Sequence, residues 1–153
     1  MLRGIAAPQR LQWHFKELPI YFITACTYNR RRILDRSDIN ETFIQFGLTA
    51  QERGLWVGRY VITPNHIHLF AAFGPEAMSA SEWMKSLKNA LSKVLTNATF
   101  RAPHWQKGFF DHVIRSHESY DQKWLYVREN PVRGGLVRAS EDWPYAGEIS
   151  ILL

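Results

Sequence analysis

The chain has 153 residues, of which 46% are hydrophobic and 14% aromatic, and its 19 Lys and Arg outnumber its 14 Asp and Glu for a net charge of +5. This length and composition predict a single domain with a substantial core and exclude a disordered chain. The one cysteine, Cys26, excludes an intramolecular disulfide and a cysteine-based zinc cluster, whereas the basic balance favours a polyanionic partner.

Residues 1–18 lack clear periodicity, and we interpret them as an N-terminal arm; residues 138–153 are interpreted as a C-terminal tail. The first residues contain no apolar segment typical of a signal peptide. No run in the sequence approaches the ~20 apolar residues of a membrane span. The sequence therefore predicts a cytoplasmic protein with no membrane partner.

The first predicted strand is residues 19–27, which are rich in β-branched and aromatic side chains. A basic loop with Arg30, Arg31 and Arg32 follows. Adjacent arginines usually form a solvated turn, but in a basic protein they are also candidate phosphate contacts. Ser37 is the expected N-cap of a first helix that Gly54 terminates.

Two further strands, residues 55–62 and 66–73, are joined by the turn dipeptide Pro64-Asn65. His66 and His68 fall on one side of the second of these strands, with Ile67 and Leu69 on the other. Neutral imidazoles two residues apart on a strand can converge on one cation, because each offers a nitrogen lone pair. The alternative interpretation is an ordinary half-exposed polar strand face.

A second helix with a capping box at Ser79 and a fourth strand over residues 109–115 complete a β-α-β-β-α-β order. This order predicts an α+β, ferredoxin-like fold: a four-stranded antiparallel sheet with both helices on one face. The helices are expected to cover the side of Ile67 and Leu69. His66 and His68 then lie on the other face.

A last helix is predicted from Ser116 to about Asn130, where Pro131 stops it. Its apolar stripe contains Trp124, and Tyr126 lies about 200° around the helix from that residue. Tyr126 therefore shares a polar face with Gln122, Glu129 and Asn130. Simple packing of the ring at a helix edge is the alternative.

These two features together suggest a phosphoryl-transfer site. A tyrosine hydroxyl can attack phosphorus and form a covalent intermediate. A divalent cation held by two imidazoles and one polar side chain would act as a Lewis acid. It would also favour the phenolate, since free tyrosine has a pKa of about 10.

Three segments, Tyr60–Leu69, Trp105–Arg115 and Tyr126–Val137, resemble the REP-associated tyrosine transposases, which belong to the single-tyrosine His-hydrophobic-His superfamily. The resemblance runs from about Ile20 to Tyr145. Thr63 departs from the pattern, because members often carry Met there.

The resemblance implies a ferredoxin-like domain that cuts and rejoins single-stranded DNA near hairpins of repetitive extragenic palindromes, in the nucleoid of a bacterium. It implies that His66 and His68 ligate Mg²⁺ or Mn²⁺ and that Tyr126 attacks the scissile phosphate, leaving a 5′-phosphotyrosyl link and a free 3′-OH. Asn130 matches the third metal ligand, and Glu129 is the alternative. A monomer is slightly favoured over a homodimer.

The remaining candidates form a DNA-binding surface. Its expected phosphate contacts are Arg30, Arg31, Arg32, Arg115, Arg133 and Arg138, and its expected stacking platforms are Trp13, Trp105 and Phe109. Core packing is the alternative role for the aromatic residues. His112 is a candidate for contacting a metal ligand without binding the ion itself, while His104 and His117 are expected to be structural or surface residues.

Two other functions remain open at this point. The first is a domesticated protein that binds DNA hairpins without cutting them. The second is a metal-dependent phosphodiesterase that uses water as its nucleophile, with Tyr126 only structural.

Overall fold

A computed structural model describes residues 18–152, apart from the side chains of His117 and Glu118. The predicted N-terminal arm, including Trp13, therefore lies outside the described residues except for Leu18. No helix within the described range is long and apolar enough to cross a membrane.

One antiparallel sheet organises the fold, with the strand order β4-β1-β3-β2-β5. The strands are β1 (Ile20–Cys26), β2 (Leu55–Thr63), β3 (His66–Phe73), β4 (Phe110–Ile114) and β5 (Ala146–Glu148). The helices are α1 (Ser37–Thr49), α2 (Ala80–Asn97), α3 (His117–Val127) and the single turn α4 (Asn130–Arg133). Through β4 the chain follows the predicted β-α-β-β-α-β order, and the predicted α+β class is confirmed.

The helix-side core follows from the alternation in β3. Ile67 and Leu69 are fully buried in one cluster with Phe43 of α1 and with Trp83 and Leu87 of α2. The Oγ of Ser79 accepts a hydrogen bond from the Glu82 backbone N–H at 3.1 Å, as the predicted cap of α2 requires. Both long helices therefore cover the face opposite the two histidines.

The start of α1 differs from the prediction. Ser37 is the first helical residue rather than the cap, and Arg36 occupies the cap position, where its side chain makes no capping hydrogen bond. Arg36 instead pairs with the Asp38 carboxylate at 3.0 Å. A short turn of 3-10 helix, Ala50–Arg53, follows α1. Gly54 ends this turn, with a φ of 81° that favours glycine.

The opposite face of the sheet carries a second core. Phe70, Val61 and Ile114 of the sheet are buried against Tyr120 and Val127 of α3. The helix ends at Val127, three residues earlier than predicted, and Pro131 lies inside α4 rather than terminating α3. This face is therefore covered at one end by α3 and open at the end where His66 and His68 lie.

The C-terminal residues add a strand that the sequence analysis did not predict. β5 pairs with residues 59–61 of β2, and Trp143 Nε1 donates to the Ile62 carbonyl oxygen at 2.8 Å. The backbone N–H of Ile62 in turn donates to the Tyr145 carbonyl oxygen at 2.8 Å. The predicted tail therefore forms one edge of the sheet.

Candidate active site

Strand pairing brings four small or polar side chains to the open end of the sheet. In the β1–β3 register Thr24 lies opposite His68, and Cys26 lies opposite His66. Opposed residues of an antiparallel pair point to the same face. The two imidazole rings lie with their centroids 4.6 Å apart, so the histidine pair that alternation predicted is formed.

The hydrogen bonds of His66 fix its tautomer. Its Nδ1 lies 2.8 Å from Asn65 Oδ1 and 2.9 Å from Thr63 Oγ1. The Thr63 hydroxyl donates its own proton to the His66 carbonyl oxygen at 3.1 Å, so Thr63 Oγ1 accepts from the ring. Nδ1 therefore carries the proton, and Nε2 keeps its lone pair. Thr63, the residue that departs from the family pattern, thus lies beside a predicted metal ligand.

His68 is held from the neighbouring strand. Its Nδ1 lies 2.8 Å from Thr24 Oγ1, and its ring stacks on Phe22 at a centroid distance of 5.1 Å. A proton on Nδ1 donated to Thr24 leaves Nε2 with a lone pair, as in His66.

Both histidines are neutral at physiological pH. Burial lowers the pKa of His66. Burial also lowers the pKa of His68 to about 3, together with repulsion of its protonated form by a protonated His66 and by the positive charges of Lys123 and Arg133. A neutral imidazole is the form that binds a metal ion. Within the described residues, however, no group of three or more His, Cys, Asp or Glu side chains could hold one.

The two rings open into a cleft of about 510 Å³. Its lining combines basic, polar and aromatic side chains: Thr24, Cys26, Arg30, Asn65, His66, His68, Gln106 and Phe110. Arg30 reaches the cleft from a tight turn in which it and Asn29 have positive φ values of 54° and 52°. The cleft is thus large enough for part of a nucleotide chain, and Arg30 is the positively charged side chain in its lining.

Tyr126 lies near the end of α3 with its side chain 63% exposed. The guanidinium carbon of Arg133 lies 4.1 Å from the centre of the Tyr126 ring, and the Lys123 ammonium lies 5.9 Å from it. The phenol is therefore outside the core and has two cations near its ring, whereas helical periodicity predicted only polar neighbours.

Lys123 connects the tyrosine to the histidine pair. Its Nζ lies 4.8 Å from the centre of the Phe22 ring, which stacks on His68. Lys123 and Arg133 also lower the pKa of His68, because their positive charges lie near its ring. Tyr126 therefore borders the sheet face that carries His68. Successive contacts through Lys123 and Phe22 connect the two residues.

The two candidates for a third metal ligand already have protein partners. Asn130 Oδ1 accepts a hydrogen bond from Arg133 Nη2, which also donates to the Tyr126 carbonyl oxygen at 2.9 Å. Glu129 forms an ion pair with Arg128 at 3.7 Å. Arg133 thus ties Asn130 to the end of the helix that carries Tyr126.

The other predicted DNA contacts fall into two groups. Arg32, Arg115 and Arg138 are exposed, whereas Arg31 donates to the Pro103 carbonyl oxygen at 2.9 Å. Trp105 Nε1 donates to Ser92 Oγ at 3.0 Å, and Phe109 packs against the helix-side core. These contacts favour the alternative, packing role for both aromatic residues.

Of the three other histidines with predicted roles, two can be placed, and the side chain of the third, His117, lies outside the described residues. His112 is exposed and packs against Phe22 at 5.3 Å, on the side away from His68 along the strand order. His104 is buried and contacts Ser92 Oγ and the Phe100 carbonyl oxygen, both at 2.9 Å, as a structural residue would.

Thr24, Lys123 and Phe110 were missed as site residues. Lys123 precedes Tyr126 by three residues, a spacing that places helical side chains side by side and could have indicated it. Phe110 alternates with His112 on β4, and that period places both on one face. Thr24 could be recognised only from the β1–β3 register, which the sequence does not specify.

Comparison with known proteins places these features in a family. The family model described as "Transposase IS200 like" matches residues 16–130, well over half of the chain. A REP-associated tyrosine transposase of Escherichia coli (strain K12) is 27% identical over 128 residues, covering 82% of this chain and 74% of the relative. A Haemophilus influenzae protein provisionally given the same name is 25% identical over 137 residues, covering 83% and 78%.

A solved structure, described as a REP-associated tyrosine transposase bound to a REP hairpin, matches with a TM-score of 0.69 and 24% identity. The match covers 84% of this chain and 75% of that chain. It bears on the fold alone. Together the comparisons confirm the resemblance that the three sequence segments indicated.

Proposed function

Because the chain belongs to the family of IS200-like transposases, we propose that it cuts and rejoins single-stranded DNA beside REP-type hairpins, with Tyr126 as the nucleophile. The observation that supports this most strongly is an exposed tyrosine that has two cations near its ring and borders the sheet face that carries His68. Relatives named as REP-associated tyrosine transposases, and the REP hairpin in the related structure, support the choice of substrate.

The donor set fits a divalent cation. His66 and His68 would hold it through their Nε2 atoms, because each Nδ1 is engaged with a protein oxygen. Two imidazoles leave coordination positions for phosphate oxygens and water, in line with the expected Mg²⁺ or Mn²⁺. Asn130 would join as third ligand once Arg133 releases its amide oxygen. The bound cation supplies Lewis acidity at the scissile phosphate.

The proposed reaction is a transesterification. The Tyr126 oxygen forms a bond to phosphorus as its proton is lost, and the bond between phosphorus and the 3′ oxygen breaks. That oxygen takes up a proton and leaves as a 3′-OH, while the DNA segment downstream of the cut remains attached to Tyr126 through its 5′ phosphate, as a phosphodiester. Attack by a 3′-OH on this linkage reverses the step and rejoins the strand.

The chain's own cations support this step electrostatically. Lys123 and Arg133 lie against the Tyr126 ring, where their charges would attract a DNA phosphate and offset the charge that develops on its oxygens. The neutral histidines add no charge of their own, so the site can accept both a cation and an anionic substrate.

Adduct formation tests the proposal. A single-stranded oligonucleotide with a REP-type hairpin is incubated with the protein and Mn²⁺, and the products are separated in a denaturing gel. The wild type is expected to form a covalent protein–DNA band, which Tyr126→Phe and EDTA both abolish. An equal yield of adduct from the Tyr126→Phe protein would remove Tyr126 from the mechanism.

The same oligonucleotide distinguishes the other functions. A protein that only binds hairpins would retard the oligonucleotide in a native gel, with salt-sensitive affinity, but would give no cleavage with either metal. Cleavage without a protein-linked stage would favour water as the nucleophile.

Mixing two inactive variants tests whether one chain forms a complete site, as expected for a monomer. Tyr126→Phe and the double variant His66→Ala/His68→Ala are expected to remain inactive when combined. Recovery of the adduct in the mixture would show that the tyrosine acts on the histidine pair of a second copy.

A further inference from the structure

The cleft beside the histidine pair has an aromatic wall. Phe110 is 62% exposed, although it is a large apolar side chain, and it lines the same cleft as His66, His68 and Arg30. In the β1–β4 register it lies opposite Thr24, whose hydroxyl contacts His68. The ring therefore lies on the same face of the sheet as a proposed metal ligand, His68, with only strand β1 between them.

Arg30 approaches the same cleft in a fixed backbone conformation. The Arg31 backbone N–H donates to the Tyr28 carbonyl oxygen at 3.2 Å, and Thr27 Oγ1 donates to the Arg31 carbonyl oxygen at 2.9 Å. Left-handed backbone at a non-glycine residue is unfavourable and persists where surrounding contacts hold it, often at ligand clamps. The turn therefore presents a cation to the cleft at a cost in backbone energy.

The far side of the cleft is also held in place. Lys88 Nζ donates to the Gln106 carbonyl oxygen at 3.1 Å and also to the Gly108 carbonyl oxygen. These bonds fix the segment that leads into Phe110. The aromatic ring is thus mounted on a strand whose approach is anchored, as a binding platform requires.

We infer that Phe110 and Arg30 form a subsite for the nucleotide next to the scissile phosphate, with its unpaired base stacked on Phe110 and its backbone phosphate near Arg30. The inference rests on the proposed function and names how that site holds its substrate. A nucleotide has two chemical parts, a flat base and a charged phosphate. The Phe110 ring can stack on the base, and the Arg30 cation can attract the phosphate. Base–aromatic stacking accepts any base. Net charge of +5 is complementary to the DNA backbone.

Photocrosslinking tests the subsite independently of cleavage. The probe is a hairpin oligonucleotide in which 5-iodouracil is walked through the single-stranded flank, and the protein carries Tyr126→Phe so that no strand is cut. Irradiation is expected to crosslink one probe position to the peptide that contains Phe110. Crosslinks at every position to other peptides alone would overturn the inference.

Affinity measurements supply the second readout. Phe110→Ala in the same background is expected to weaken binding about 5- to 100-fold, and Phe110→Trp is expected to restore it. Leu125→Ala is the matched control, because Leu125 is 56% exposed and lies outside the residues that line the cleft. Unchanged affinity in Phe110→Ala would contradict the inference.

The outcomes separate this inference from the proposed function. Loss of the crosslink and of affinity in Phe110→Ala, with no adduct from the wild type, would retain the subsite and reject strand transfer. A normal adduct with no effect of Phe110→Ala would reject the subsite alone. If Phe110→Ala instead converts a dimer to a monomer in sedimentation velocity without changing DNA affinity, Phe110 serves edge-strand association and the subsite is wrong.

Discussion

The Nδ1 atom of His68 lies 2.8 Å from the Oγ1 atom of Thr24, its direct partner across the β1–β3 strand pair. The two residues are far apart in the sequence, and the register of the two strands brings them together. Their contact orients an imidazole whose ring also stacks on Phe22 and contacts His66. A group that orients a metal-binding histidine typically contributes 10–100-fold to metal affinity.

Thr24→Val should therefore weaken Mn²⁺ binding by about 10–100-fold, because the isosteric valine cannot accept the Nδ1 proton. Titration followed by electron paramagnetic resonance of free Mn²⁺ measures the affinity directly. Thr24→Ser, which keeps the hydroxyl, should bind nearly as tightly as the wild type. A valine variant with wild-type affinity would show that this hydrogen bond does not prepare His68 for a cation.

Lys123→Met should slow adduct formation by about tenfold or more in a single-turnover experiment, since it removes one of the two cations beside Tyr126. Lys123→Arg should retain most of the rate. Lys85→Met, which removes an exposed lysine from α2 on the opposite face of the sheet, is the matched control. Equal rates for the two methionine variants would mean that Lys123 acts only through general charge.

Gly58→Ala should destabilise the protein by about 1–3 kcal/mol, as overpacking of a filled core does. A Cβ atom at this position would lie 2.6 Å from Leu152 Cδ1 and 2.7 Å from the Tyr120 hydroxyl oxygen. Urea unfolding gives the loss. In combination with Leu152→Ala the two losses should be less than additive, because the second change makes room for the first; strict additivity would place the strain elsewhere.

Stability should fall at alkaline pH through two buried phenols. Burial raises the pKa of Tyr60 and of Tyr120 well above the usual value. The unfolded chain, with a tyrosine pKa of about 10, therefore loses these protons at a lower pH than the folded protein does. This stabilising contribution is complete below about pH 10 and is lost as the pH rises toward the folded pKa.

Urea unfolding between pH 9 and 11 tests that linkage. Tyr60→Phe should have a lower free energy of unfolding at pH 9, since Asn40 loses the hydroxyl that donates to its Oδ1 at 2.8 Å. Its free energy should nevertheless decline less steeply with rising pH than that of the wild type. Parallel declines would mean that Tyr60 does not contribute to the alkaline loss.

Local patterns predicted the parts of the site that lie within one element. Alternation in β3 placed His66 and His68 on one face, and helical periodicity placed Tyr126 away from the apolar stripe of α3. Relations between distant segments were not predictable in this way. The pairing of β5 with β2 depends on a partner about 85 residues earlier in the sequence, and the Thr24–His68 contact depends on strand register.

The errors at helix ends have the same origin. Ser37 and Pro131 are typical cap and stop residues, but Arg36 pairs with Asp38, and a second helical turn follows α3 almost directly. Where a helix begins and ends depends on which of several nearby polar groups forms the more favourable hydrogen bond with the backbone. Tertiary contacts decide that competition, and the Arg133 bond that joins Asn130 to the end of α3 is one example.

Peptide mapping of the adduct shows whether the Tyr126 oxygen becomes covalently linked to DNA. Trypsin cuts after Lys123 and Arg128, so Tyr126 is the single tyrosine of the peptide that spans residues 124–128. After nuclease trimming, mass spectrometry should find a nucleotide 5′-phosphate on this peptide. A remnant on another peptide, such as the one that contains Tyr120, or a cleaved oligonucleotide with no modified peptide, would contradict the account.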